Sequence, residues 1–389
     1  MKKYIHTILC VALLVMFLSC DRVSEEIEGL EKTEINVAGL FALSGPAQVI
    51  GIPSLRVSEY LIEEFNKNSP EYVIKLRIAD TQSNPAQARQ ALERLIRTHG
   101  VVAVIGPTTT GACMACLPAI EAAQIPMIAC VGASIAVEPV EERYWVFKSP
   151  QKSSTAIEKI FEYLQKEGKT NIVMLYSDDM FGQEGLEEVN ALHGQYNINV
   201  LDRFAFDQRG MEFKVFLRRA VSSDADAVLV WTIGPAGPII TRNYRELELE
   251  PLLVQCHGQP TPDFLEIAGR FAEGTVMPAT RVMVLEDLDD DDPVKDIIQD
   301  FIHVYENVQN LGPVGTHSSY AWDATNLMLN AIEKAGDNPA AIRDAIENTR
   351  DFPGVSGTYN MSPEDHCGLD TDSLVMTIVE DNTFRLLEY

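Results

Sequence analysis

The residues best placed to do chemistry in this chain lie in short loops that each follow an apolar run. Leu43-Ser44-Gly45-Pro46-Ala47-Gln48 comes first, then Gly106-Pro107-Thr108-Thr109-Thr110-Gly111, then Cys130-Val131-Gly132-Ala133-Ser134. Further along stand Asp178-Asp179-Met180-Phe181-Gly182, Trp231-Thr232-Ile233-Gly234 and Cys256-His257-Gly258. The threonine loop runs straight into a helical pattern. Hydroxyls together with free N–H groups at a helix start suit a carboxylate or another oxygen-rich group. Simple N-capping by one threonine is the alternative, and three threonines exceed what a cap needs. His257 could bond a ligand oxygen, or be a satisfied structural residue. Phe181 and Trp231 supply either an apolar pocket wall or core packing. Gln48 has the reach to touch a ligand from the first loop.

Thiols offer a different chemistry. Cys113, Cys116, Cys130, Cys256 and Cys367 remain once Cys10 and Cys20 are set aside, an odd number. The set does not read as a disulfide framework, because a large exported domain does not need staples, although Cys113 and Cys116 could pair. Cys113, Cys116, Cys130, Cys256 and His257 could in principle gather a soft metal. Against this, Cys113 and Cys116 fall inside a helical pattern, and free cysteine commonly behaves as a small buried hydrophobe. No metal site and no cofactor is expected. The sequence contains no Gly-x-Ser-x-Gly elbow, no P-loop and no His-Glu-x-x-His pair, so no catalysis is expected either.

The elements that must position these loops alternate. Ile35–Leu43, Val73–Ala79, Val101–Ile105 and Pro126–Ala129 read as strands, with helical patterns over Ser54–Asn66, Pro85–Thr98 and Gly111–Ala123 between or after them. The alternation restarts after Val146–Pro150 and continues to a strand at Leu252–Gln255. Strands alternating with helices mean parallel sheets covered on both faces. The fold class is therefore α/β, with two Rossmann-like units in series. In such sheets ligands lie beyond the carboxyl ends of the strands, where the loops above are found. A helical block follows at Pro293–Gln309, Ser318–Ala335 and Pro339–Asn348, then a hairpin around Asp381-Asn382. The expected division is lobe 1 from 34–148 plus 280–350 and lobe 2 from 149–279 plus 351–389, with several chain crossings forming a hinge.

The N-terminus reads as a targeting segment. Lys2 and Lys3 precede an apolar run from Ile8 to Leu18, too short for a spanning helix. Ser19 directly before Cys20 resembles a bacterial lipobox, which implies cleavage after residue 19 and lipidation of Cys20. Residues 20–33 are then an acidic tether. The formal net charge is −26 at pH 7. So acidic a surface excludes a nucleic-acid partner, which would need a basic face. The acidic run from Glu286 to Asp292 lacks the spacing of a calcium loop and reads as solvated surface.

Together these segments resemble the type I periplasmic binding proteins, in the family that includes the branched-chain amino acid and amide/urea receptors. The carrying residues are Leu43-Ser44-Gly45-Pro46 with Gly51, Asp80-Thr81 with Pro85, Val104-Ile105-Gly106-Pro107, Phe147-Lys148-Ser149, Phe181-Gly182, Phe264 with Ala268-Gly269, Glu273-Gly274 and Trp322-Asp323-Ala324. The resemblance implies two lobes that close on a small molecule and an ABC-type permease as partner; with the lipobox it implies a membrane-anchored periplasmic or surface location, and a monomer is expected. A ligand sensor of a signalling system with the same fold is the alternative. The resemblance places ligand contacts at Thr109, Thr110, Gly132, Ala133 and Ser134. In the family's amino-acid receptors an acidic residue after the Trp231 strand holds the ligand ammonium. Here that stretch is Thr232-Ile233-Gly234-Pro235-Ala236, with no carboxylate. A small carboxylate without an amine, aromatic or branched, or an amide, fits better than an α-amino acid.

Overall fold

The computed structural model describes residues 32–220 and 224–389. The targeting segment and Cys20 lie outside the described residues. A parallel five-stranded sheet in the order β2-β1-β3-β4-β5 forms the core of the first lobe. Its strands are β1 (Thr33–Phe41), β2 (Tyr72–Asp80), β3 (Ala103–Ile105), β4 (Met127–Ala129) and β5 (Val146–Lys148). The inner strands are short and wholly apolar, as strands covered by helices on both faces must be.

The second lobe is built on a seven-stranded sheet, β14-β13-β10-β9-β8-β6-β7. Here β6 (Asn171–Ser177), β7 (Asn199–Phe206), β8 (Ala227–Trp231), β9 (Leu252–Gln255) and β10 (Val276–Thr280) run parallel. The terminal hairpin, β13 (Leu374–Glu380) and β14 (Thr383–Leu386), adds antiparallel to β10. Its turn is Asp381-Asn382, both at positive φ, the backbone that a two-residue hairpin turn requires. A small separate hairpin, β11 (Phe352–Gly354) with β12 (Gly357–Tyr359), was not evident in the sequence pattern.

Two helices differ from expectation. The first begins at Gln48, not Ser54, and carries Pro53 inside it. A proline there breaks the helical reading locally but costs one backbone bond only. The helix expected over Pro293–Gln309 is Lys295–Ile302, continued by a π-helical turn at His303–Val308.

The long helix Thr316–Ala335 packs on the first lobe's helix Gln48–Asn68, where the Ser58 and Thr325 hydroxyls meet at 2.9 Å. It also ties the crossings between lobes. Asp323 accepts from the N–H groups of Val355 (2.8 Å) and Ser356 (2.9 Å), and lies 3.0 Å from the Tyr359 hydroxyl. That hydroxyl donates to the carbonyl of Ser149 at 2.6 Å. Gln151 donates to the Ser356 carbonyl at 2.9 Å. The strand-to-helix crossing at 148–152 and the return at 354–357 are thus laced to one carboxyl group. Burial raises that group to about 6, against the pull of its Ser356, Val355 and Tyr359 hydrogen bonds.

Candidate functional site

The loops after the strand ends meet between the lobes, and each is held by its own neighbours. Asp80, at the end of β2, accepts from Leu43 N, Ser44 N, the Ser44 hydroxyl (2.6 Å) and Gln82 N. Burial opposes its ionisation, but these donors hold the carboxyl below its usual range. The Ser83 hydroxyl donates to the Ser44 carbonyl and accepts from Ala47 N. The first loop is therefore fixed, and the helix starting at Gln48 is aimed at the cleft.

The three threonines divide their work. Thr108 is structural: its hydroxyl accepts from Ala42 N at 3.1 Å. Thr109 stands at the N-cap of the helix Thr110–Ala123 in extended backbone, but its side chain makes no capping bond. The helix start keeps its free N–H groups, and Thr109 keeps its hydroxyl, facing the cleft. The capping alternative raised from the sequence is not realised.

A narrow throat of about 30 Å³ lies here, lined by Thr109, Thr110, Gly132, Phe181, His257 and also Ile50, Thr108, Cys130, Ile233, His317 and Tyr320. Five of the residues singled out from sequence thus come together. Gly132 is required as glycine: a Cβ on it would stand 2.4 Å from His257 Nε2. Two larger chambers adjoin the throat. A front chamber of about 380 Å³ shares Ile50, Thr109, Thr110, Phe181 and Ile233 with it. A rear chamber of about 620 Å³ shares Ile50, Gly258 and His317. Ile50 lines all three spaces. Gln48 lines the rear chamber only, away from the threonines.

Three expected contacts are withdrawn from the cleft. Ala133 is fully buried, and Ser134 is consumed by structure. The Ser134 N–H donates to Glu184 at 2.6 Å, and its hydroxyl accepts from Ser154 N at 3.2 Å. The carbonyls of Gly132 and Ala133 are taken by the buried Lys148 ammonium, at 2.6 and 3.2 Å. Trp231 lies behind Phe181, with ring centroids 5.6 Å apart and planes at 24°. It fits there because Gly185 has no side chain: a Cβ would come within 2.2 Å of the indole nitrogen. Trp231 supports the wall and does not line it.

The far side of the throat is polar and uncharged. His257 is buried, and its Nδ1 has no hydrogen-bond partner. Burial, then the Lys148 ammonium and His317, push it down to about 3. Burial likewise lowers His317 to about 4, against a backbone bond with Gly258. Tyr320 is buried with its hydroxyl unpaired, and burial drives its ionisation well above the usual range. Both imidazoles and the phenol are therefore neutral at pH 7. Among the described residues no carboxylate lines the throat. Asp179 lines the front chamber, with one oxygen already capping Gly182 N and accepting from Ser177.

Sequence reasoning missed Ile50, Ile233, His317 and Tyr320. The available signal was the run of four polar residues Thr316-His317-Ser318-Ser319 in the first turn of the helix.

The thiols do not converge. All five described cysteines are free and buried, Cys113 and Cys116 within the first lobe's core. Burial pushes Cys116, Cys130 and Cys256 up to about 12 each. Cys256 donates to the Thr232 carbonyl. Among the described residues no three His, Cys, Asp or Glu side chains are placed to hold a metal ion. Cys113 and Cys116 share one core cluster, Cys130 and Cys367 another, and Cys256 lies in a third, so the thiols proposed as a soft-metal set are not gathered at one point.

The comparisons agree with this architecture. Residues 34–383 match the family model for the periplasmic binding protein. A curated relative, the Leu/Ile/Val-binding protein homolog 3 of Brucella melitensis, is 20% identical over 337 residues, covering 85% of this chain and 87% of that protein. An extracellular ligand-binding receptor from Rhodopseudomonas palustris superposes with a TM-score of 0.84 at 24% identity, over 92% of this chain and 100% of that one. The Streptococcus pneumoniae branched-chain amino acid transporter substrate-binding protein LivJ, in complex with isoleucine, gives 0.78 at 18% identity, over 92% and 100%. A branched-chain amino acid ABC transporter protein from Thermus thermophilus with bound valine gives 0.79 at 17%, over 92% and 96%. With the match running through both lobes and the hinge, this chain belongs to the periplasmic binding protein family.

Proposed function

We propose that this protein is an extracytoplasmic receptor whose lobes close on a small monocarboxylate, or an amide, lacking an α-ammonium group, and that it delivers this ligand to an ABC-type importer. One observation carries the reading. The throat offers a helix N-terminus and two free threonines on one wall and neutral, unpaired His257 and Tyr320 on the other, with no carboxylate between them. Such a site donates hydrogen bonds to an oxygen-rich group from both lobes and leaves an ammonium uncompensated, which is costly once buried. Ligand contact with both lobes favours the closed form, and a permease then reads that shape. No helix among the described residues is long and apolar enough to cross a membrane. Attachment would come from lipid on Cys20, with the protein acting as a monomer.

Thermal denaturation of residues 21–389 against carboxylates, amides and amino acids tests the reading. A ligand at a hundredfold excess over Kd stabilises by about 2.7 kcal/mol. Shifts with carboxylates or amides and not with their α-amino counterparts are expected. Shifts confined to α-amino acids would overturn the reading.

A further inference from the structure

The rear chamber is the larger space beside the throat, at about 620 Å³ against about 380 Å³ in front. That volume falls in the range of pockets that enclose drug-sized ligands, and far exceeds what a branched-chain side chain fills. Its walls are mostly apolar, including Pro53, Phe264, Ile267, Leu311 and Pro313. It opens to the throat past Gly258, which has no side chain, and past His317 and Ile50. Asp263 and Glu266 also line it. Burial, and the neighbouring Glu266 charge, raise the Asp263 carboxyl above its usual range. Arg56 is also there, but its side chain is 60% exposed and paired to Glu59 at 3.8 Å.

Resting on the carboxylate reading, we propose that the rear chamber is a subsite for an extended, uncharged apolar tail. The ligand's carboxylate would sit in the throat, between Thr109–Thr110 and Tyr320, and its body would pass Gly258 into the chamber. The ligand class is a monocarboxylate with a medium-length alkyl or phenylalkyl tail. The acidic pair Asp263–Glu266 in the chamber lining disfavours a second carboxylate on the tail, since like charges in a half-buried place repel. The unpaired hydroxyl of Tyr320 and Nδ1 of His257, both more than nine-tenths buried, are independent marks of a missing polar ligand group at the throat.

Calorimetry on the mature chain would compare 4-methylpentanoate, octanoate, 4-phenylbutyrate and octanedioate. Octanoate and phenylbutyrate should bind at least tenfold tighter than 4-methylpentanoate, and octanedioate at least tenfold weaker than octanoate. Ile267→Trp should fill the chamber and abolish the long-chain advantage, leaving 4-methylpentanoate within twofold. Ile52→Trp, on a partly exposed wall position, gives the same reading if the first variant does not fold. Long probes that bind no better than 4-methylpentanoate, or an advantage that survives both tryptophans, would overturn the subsite while sparing the carboxylate reading. Binding of none of the four would remove both.

Discussion

The hinge and the throat share a helix and set the buried acid of one beside the buried phenol of the other, the first held by backbone donors and the second left unpaired. Asp323, in the hinge, accepts from the N–H groups of Val355 and Ser356 and lies against the Tyr359 hydroxyl. Tyr320, one turn earlier on Thr316–Ala335, buries a hydroxyl with no partner. Buried groups that hold a fold together are satisfied within it, because an unmade hydrogen bond costs about 1–3 kcal/mol. Other buried atoms such as Gln151 Oε1 and Ser356 Oγ are unpaired too, but Tyr320 and His257 also line the throat, where a ligand can supply the bond. The two regions are also mechanically joined, since the Ser149 hydroxyl donates to the Tyr320 carbonyl while Tyr359 donates to the Ser149 carbonyl. Rotation at the crossing therefore moves the backbone that carries the throat's phenol.

The sharpest way to break this contrast is to damage the hinge. Asp323→Ala should cost about 3 kcal/mol or more in urea unfolding, because it strands several buried donors at once. A loss under about 1 kcal/mol would mean that the hinge is not tied through this carboxyl. Thr110→Val should do the reverse. Ligand binding should weaken by roughly 1–3 kcal/mol in calorimetry, with stability nearly unchanged. Equal effects on both would erase the distinction between the regions.

The loop clamp predicts a pH dependence. Burial raises Glu184 to about 7, against hydrogen bonds from Ser153 and Ser134. A carboxyl raised in the folded state favours folding while protonated, so its contribution is full below about 4.5 and is lost as pH rises through about 7. Glu184→Gln should thus stabilise the protein by about 1 kcal/mol at pH 8 and change little at pH 4.5. His257 acts oppositely. Held down to about 3, it favours folding above its ordinary value and loses that contribution as pH falls. Urea titrations of wild type and variant at the two pH values separate the two groups. The smallest effect is expected at Trp231→Phe, where affinity should hold within about twofold because the indole stands behind Phe181.

The fold was largely legible from periodicity. Alternating apolar runs and amphipathic stretches placed both parallel sheets, and Asp381-Asn382 marked the terminal hairpin. Short inner strands such as Met127–Ala129 leave the rule of strand-end loops intact, and the loops carrying Thr109, Thr110, Gly132, Phe181 and His257 meet at one cavity. What escaped depends on contacts between distant segments. His317 and Tyr320 face the throat because their helix packs on the distant first-lobe helix Gln48–Asn68 and its start meets Pro260, contacts that no local pattern records. Ser134 and Trp231 misled for the same reason: Glu184 and Gly185, some fifty residues away from the one and on a neighbouring helix for the other, decide where they point.

The central claim is that the throat receives an oxygen-rich group without an accompanying ammonium. Leucine and 4-methylpentanoate differ only by the α-amine, so calorimetric titration of both into the mature chain tests it directly. The account predicts that 4-methylpentanoate binds at least tenfold more tightly. Tighter binding of leucine would contradict it and would assign the ammonium to a carboxylate outside the throat, with Asp179 in the front chamber the first to mutate.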